Sequence, residues 1–237
     1  MLTPLIYIIF LVGAFVRSFF GFGEALITTP LLLLVAYNIH NGIAIIGIMG
    51  LLLALPGAIR NYKAIDLRLL MKLFTGAAIG VPLGLLFLKF GSLTSLKIFT
   101  GLFLICYGLF NLFNFQTAKL KLKIPQILVG LISGFLGGAI NTHGAPVAIF
   151  GNLSKWTFTY LRANLQTYFA VVGFFIVIGQ GISGFWNAEV LKTLLLLLPG
   201  FIVIIILVEW LLTKVQPQSF DKFLYSFLLL SGCLLFF

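Results

Sequence analysis

The sequence predicts an all-α integral membrane protein made of two inverted repeats, each a Gly/Pro-interrupted helical hairpin, re-entrant or broken, followed by three transmembrane helices. Three observations carry that reading. Residues A, V, I, L, M, F, W, Y and C fill 61% of the 237 positions and charged residues only 8%, more apolar surface than a soluble fold can bury. The apolar runs are long and lack the alternation that barrel strands need. Two short stretches read alike: RSFFGFGEALITTP at 17–30 and SGFLGGAINTHGAP at 133–146. With Pro30 set opposite Pro146, Gly21 aligns with Gly137 and Phe19 with Phe135.

Between polar breaks, the first half (1–118) holds apolar segments 2–37, interrupted at Gly21 to Glu24, then 41–59, 69–88 and 98–115. The second half (119–237) repeats the order with 125–153, interrupted near Asn141 to Gly144, then 164–186, 191–212 and 223–237. The chain forms a single transmembrane domain. Pro56, Pro82 and Pro199 sit inside spans, where they adjust packing. Trp156, Trp186 and Trp210 fall near span ends, as an interfacial belt requires. Met1 to Val16 has neither a basic n-region nor a small-residue cleavage site, so no signal peptide is expected. Cys106 and Cys233 lie in apolar runs without partners at ligand spacing, which predicts buried structural thiols and no metal site.

Basic residues set the orientation. If each interrupted segment returns to its starting side, then Arg60, Lys63, Arg68, Lys72, Lys119, Lys121, Lys123, Lys155, Arg162, Lys214 and Lys222 share one face. Only Lys89, Lys97 and Lys192 fall on the other. If each segment crosses once, the split is 8 against 6. The positive-inside rule favours the returning arrangement, with both termini outside and the two halves inverted. The net charge of +10 is thereby explained by membrane topology, and no nucleic-acid partner is implied. The second segment has 29 residues, too few for two spans of about 20 residues each. It predicts two half-helices with a tip inside the bilayer. The first, with 36 residues, fits either a re-entrant pair or two short tilted crossings. In an inverted pair the tips meet near the midplane.

Irregular backbone at membrane depth must line a polar space or be buried in protein. Gly21, Gly23, Gly137, Gly138 and Gly144 permit tight turns and close backbone approach. Each returning half-helix presents N–H groups and a positive dipole end to an anion, and Pro146 fits the first turn of the second one. Candidate substrate contacts are therefore Gly21, Gly23, Glu24, Gly138, Asn141, Thr142, His143 and Gly144. Asn141, Thr142 and His143 offer donors or an ion ligand; capping of the returning helix is the plainer role for all three, and for Thr142 cap and ligand stand level. Arg17, Glu24, His143 and Arg162 are the charge or coupling candidates. Arg17 and Glu24 either neutralise each other or divide the labour, Arg17 attracting an anion and Glu24 carrying a proton. Arg162 opens a polar segment expected to flank the second tip, and its plainer role is an interfacial anchor. For Gly13, Gly130, Gly134 and Gly173 the plainer role is close helix packing.

These residues resemble the sulfite exporter TauE/SafE family of membrane permeases. The resemblance rests on GFGEALITTPLLLL at 21–34, GLISGFLGGAINTHGAPVAIFGNL at 130–153, RANLQTYF at 162–169 and LLPG at 197–200. It spans essentially the whole chain, and it carries the motif roles to Gly21, Gly23, Pro30, Gly137, Gly138, Asn141, Gly144 and Pro146. The resemblance implies a transporter of small sulfur-containing or carboxylate anions in a bacterial inner membrane. Two features depart from the family pattern: Glu24 stands where glycine is common, and His143-Gly144-Ala145-Pro146 replaces a small-Gly-Pro-Pro run. The expected function is secondary transport of a small anion, sulfite or an organosulfur compound, by alternating access. A proton or sodium ion is the expected coupling partner and the lipid bilayer the solvent. A homodimer is compatible with the sequence, and no cofactor is implied. No Walker-type loop is present to bind ATP. An intramembrane enzyme using His143 with Ser133 or Thr142, and a non-transporting scaffold, are the alternatives.

Overall fold

The computed structural model describes residues 4–60, 65–113, 124–215 and 221–237. Lys63, Lys119, Lys121 and Lys123, counted above for orientation, lie outside the described residues. Ten α-helices and no strands occur among the described residues. They are α1 (Pro4–Phe20), α2 (Glu24–Leu34), α3 (Ile39–Arg60), α4 (Leu67–Phe90), α5 (Leu93–Leu112), α6 (Gln126–Ile140), α7 (Gly144–Leu153), α8 (Phe158–Ile182), α9 (Ala188–Leu212) and α10 (Asp221–Leu234). α3, α4, α5, α8 and α9 are long and apolar enough to cross a membrane.

Both interruptions are real breaks, and the chain folds back at each. If α1 ran straight into α2, Gly13 and Thr28 would be about 22 Å apart at 1.5 Å per residue. Instead, a Cβ built on Gly13 would lie 1.9 Å from Thr28 Oγ1. At the second break Ser133 Oγ reaches the carbonyl of His143. α2 has 11 residues and α7 has 10, about 15 to 17 Å of helix against about 30 Å of hydrocarbon. Neither of these two arms matches that thickness.

The element order recurs, two arms and then three helices in each half, although α10 with 14 residues is shorter than the arms α1 and α6. Its register differs by one turn from the Pro30–Pro146 alignment. The first arms end at Phe20 and Ile140 and the second arms begin at Glu24 and Gly144, so structurally equivalent positions are 120 residues apart. That register sets Gly21 opposite Asn141, and both adopt the left-handed backbone that stops the first arm, with φ of 80° and 55°. Asn is among the side chains that tolerate this region best, which is why it can stand in for glycine.

The helices form two compact units, each assembled from both halves of the sequence. One holds α1, α2, α5, α9 and α10, and the other α4, α6, α7, α8 and α3 from Ile43 onward. In the second unit α4 and α6 run parallel with their backbones in contact. Cβ atoms built on Gly76, Gly80 and Gly84 would lie 2.0–2.2 Å from the carbonyl oxygens of Ile127, Leu131 and Phe135. Those on Gly130 and Gly138 would lie 2.0 and 2.3 Å from the Leu73 and Val81 carbonyls, and one on Gly134 2.6 Å from Ala77 Cα. Small residues every fourth position let membrane helices approach this closely and gain dispersion contacts that lipid does not match. The packing role expected of Gly130 and Gly134 is thus realised, and Gly138 shares it. α8 lies parallel to α4, with Asn164 by Asp66 and Gly179 by Leu85. It runs antiparallel to α3, with Gln166 by Gly57 and Gln180 by Gly47.

In the first unit α5 and α10 are antiparallel, Gly101 meeting Gly232 and Phe236 while Gly108 meets Tyr225 and Leu229. α1 and α9 are parallel: Gly200 lies against Tyr7 and Leu11, while Leu211 and Val215 share a cavity wall with Val16 and Phe20. Cys106 and Cys233 are exposed on this unit. The expectation of buried thiols is therefore corrected, because an apolar run in a membrane protein signals a lipid-facing surface as readily as a core.

The starts of α3, α4 and α5 are capped by short polar side chains. Asn38 Oδ1 accepts from the backbone N–H groups of His40 and Asn41, and Ser92 Oγ accepts from Ser95 N–H at 3.1 Å. Asp66 caps α4, its Oδ1 accepting from Leu69 N–H at 3.0 Å and its Oδ2 from the Tyr160 hydroxyl at 2.7 Å. Its own N–H donates to Asn164 Oδ1 at 2.8 Å. The RANLQ segment thereby ties the start of α8 to the start of α4.

Replacing Gly80 or Gly134 by Ala is expected to destabilise the protein by about 3 kcal/mol, the upper range for overpacking. Gly181→Ala, whose Cβ would meet Trp186 at 3.7 Å or more, is expected to be neutral, and thermal melting in detergent compares the three. The Leu69 N–H and then the Tyr160 hydroxyl hold the Asp66 carboxyl below its usual range. The stability it contributes is present above about pH 4, the ordinary Asp value, and is lost as pH falls through the lower folded value. Asp66→Ala is expected to cost about 1 kcal/mol at neutral pH, as lost caps do, and the gap should close on acidification.

Candidate functional site

The first hairpin is stopped and restarted by glycine. Gly21 N–H bonds back to the Arg17 carbonyl at 2.8 Å. Gly23, with φ of 100°, is the N-cap of α2. It offers no side chain to the free N–H groups of the first turn, so that turn keeps its positive dipole end uncapped. Glu24 opens the helix and is buried, as are Arg17, Thr28 and Thr29. Arg17 and Glu24 interact electrostatically. Even so, both Glu24 carboxylate oxygens are buried and accept no hydrogen bond among the described residues, and the same holds for Thr28 Oγ1. The sequence reading placed Arg17, Gly21, Gly23 and Glu24 together here, and the structure does bring them together. Thr28 was missed, although its i+4 spacing from Glu24 puts it on the same helix face.

The second hairpin is built with side chains where the first uses glycine. Asn141 ends α6, its Nδ2 donating to the Ile43 carbonyl. Gln180 Nε2, fully buried on α8, lies 3.4 Å from both that carbonyl and Asn141 Oδ1. Gln180 Oε1 is buried without a hydrogen-bond partner among the described residues. Gly47 makes the room for it, since a Cβ there would sit 2.5 Å from that oxygen. Gln180 is the residue that sequence reasoning missed most plainly. Its signal was available, as a lone carboxamide in the apolar run VVGFFIVIGQGI.

Thr142 does not cap the returning helix. Its hydroxyl turns back to the Ile140 carbonyl at 3.2 Å, and the N-cap of α7 is His143, which makes no side-chain cap hydrogen bond. With Pro146 third in α7, the N–H groups left at this helix start are those of Gly144 and Ala145. His143 is buried, its ring edge-to-face with Phe169 at 5.0 Å. The position a Gly173 Cβ would take is 3.9 Å from His143 Nε2, so Gly173 borders the imidazole instead of packing tightly. Gly144 is required by Phe169, whose ring would lie 2.2 Å from a Cβ there. Tyr168 donates to Ser133 Oγ at 2.8 Å, and Ser133 donates to the His143 carbonyl. The Ser133 hydroxyl is thus committed to the backbone carbonyl and not to the imidazole. Arg162 is exposed near the start of α8. The buried polar members of that segment are Asn164 and Gln166.

Among the described residues no cluster of His, Cys, Asp and Glu could hold a metal ion. The two hairpins are chemically unequal: the first carries ionisable groups, the second carboxamides, hydroxyls and an imidazole. No curated protein and no solved structure matches the chain significantly. The family model for the sulfite exporter TauE/SafE matches residues 5–235. With paired helix breaks, five long apolar helices and a match over nearly its full length, the chain belongs to the TauE/SafE sulfite exporter family of membrane transporters.

Proposed function

We propose that this protein is a secondary transporter of a small anion, sulfite or an organosulfur compound, working by alternating access. The observation that carries the reading is the pair of helix breaks, each followed by a short returning helix whose first turn has no side-chain cap. Free N–H groups and a positive dipole end suit an oxyanion, and discontinuous helices of this kind hold anionic groups in inverted-repeat transporters. Asn141, His143 and Gln180 supply polar side chains at the second break. The first break adds charge through Arg17 and Glu24.

The topology we propose has both hairpins returning to their starting faces. Helix directions support it. Between α4 and α8, which are parallel, the chain makes one full crossing in α5 and then the second hairpin. Parallel directions follow only if that hairpin returns. Counting on from α3 through α9, the parallel pair α1 and α9 has the same implication for the first hairpin. The halves are then inverted. Arg68, Lys72, Lys155 and Arg162 fall on one face, opposite Lys89, Lys97 and Lys192, and the positive-inside rule makes that face cytoplasmic with the termini outside. The meeting of the two tips at the midplane and a bacterial inner-membrane location are carried forward from the sequence as parts of this proposal.

Flux into proteoliposomes of sulfite, thiosulfate, taurine, sulfoacetate and short carboxylates, with pH and sodium gradients imposed separately, tests the reading. Uptake of at least one sulfur oxyanion is expected. Gln180→Leu and Gly23→Leu are each expected to lower it at least tenfold, and full activity in both variants would remove the hairpins from the path.

A further inference from the structure

We infer that Glu24 and Thr28 form a proton-carrying site in the first hairpin, and that its protonation loads the anion. The inference deepens the transport reading and rests on it for its physiological meaning. Glu24 is 3% exposed and Thr28 is fully buried. Their three side-chain oxygens accept no hydrogen bond among the described residues, a costly state for an ionised carboxylate. The two residues are one turn apart on the same face of α2, against Gly13 of α1. The point where a Gly13 Cβ would sit is 1.9 Å from Thr28 Oγ1 and 3.4 Å from Glu24 Cγ. Any larger residue at 13 would fill the space between them.

A proton answers this arrangement with the atoms already present. On protonation one carboxylate oxygen becomes an O–H donor, Thr28 Oγ1 is the acceptor one turn away, and the Thr28 hydroxyl proton turns to the helix carbonyl four residues back. The proton arrives from water on one face and leaves to water on the other, and no other bond changes. Arg17 on α1 is the charged group that Glu24 feels among the described residues. α5 and α10 also pack on α2; their charged side chains among those described are Lys97 and Lys222.

The proton has a consequence for the anion. Protonation of Glu24 removes one negative charge beside the uncapped start of α2 and raises the net charge of the hairpin by one unit, whatever Arg17 touches. An anion is then held more tightly at that helix start, so proton and anion favour each other's binding.

The test uses the full chain in lipid nanodiscs and proteoliposomes. Infrared difference spectra across a pH series are expected to show a protonated-carboxyl C=O band that titrates. That band should be absent from Glu24→Gln, moved in Glu24→Asp, and shifted in frequency in Thr28→Val, whose folding is checked by thermal melting. In flux assays an inwardly directed proton gradient is expected to speed uptake of the transported anion at least fivefold, an acceleration lost in Glu24→Gln. Absence of a titrating band in the wild type, or its persistence in Glu24→Gln, would overturn the site. So would stimulation by a sodium gradient in place of a proton gradient. A titrating Glu24 band with no flux of any anion tested would retain the proton site and refute the anion reading.

Discussion

In hydrocarbon no water is available to satisfy a peptide group, so a helix can be broken at membrane depth only where protein or a polar path takes over its hydrogen bonds. That constraint governs both hairpins. At the first, glycines at 21 and 23 turn the backbone, and Gly13 lets α2 lie against α1. At the second, the same geometric task falls to Asn141 in the left-handed region, held by its bond to the Ile43 carbonyl. Around each break the long helices act as a wall. The contact of α4 with α6 matters most for the second hairpin, because three glycines on each helix remove every side chain between two backbones.

The interleaving of the halves follows from the same economy of space. A hairpin arm too short to cross leaves volume that a full-length helix must fill, and in each compact unit a helix from the other half of the sequence does so. α4 of the first half supports the hairpin of the second, and α9 of the second half lies along α1 of the first. Neither half of the chain is a folding unit on its own contacts.

Much of this was legible in the residues. Composition declared the solvent, the Gly-rich breaks appeared at the right places, and most span boundaries fall close to their helices, though α5 and α8 begin at Leu93 and Phe158, ahead of the runs read from 98 and 164. The pairing of α4 with α6 was not read, although glycines recur every fourth position at 76, 80 and 84 and again at 130, 134 and 138. A small-residue stripe states that something approaches closely without naming the partner. The repeat register was misjudged by a turn because prolines were aligned, whereas the break is set by the residue in the left-handed region. Cys106 and Cys233 were expected to be buried for a related reason: lipid-facing and core-facing residues share one composition. Gln180 and Thr28 were passed over because single polar residues in apolar runs carry no motif, although burial makes them chemically expressive.

The central claim is that each hairpin enters the membrane and returns to its own face, since inversion of the halves, the orientation of the basic residues and the placement of both breaks all depend on it. Single cysteines at Pro4 and Val35, and at Pro125 and Lys155, in a chain lacking Cys106 and Cys233, can be labelled with a membrane-impermeant thiol reagent from either side. The account expects Pro4 and Val35 to label from one face and Pro125 and Lys155 from the other. Labelling of Pro4 and Val35, or of Pro125 and Lys155, from opposite faces would contradict it.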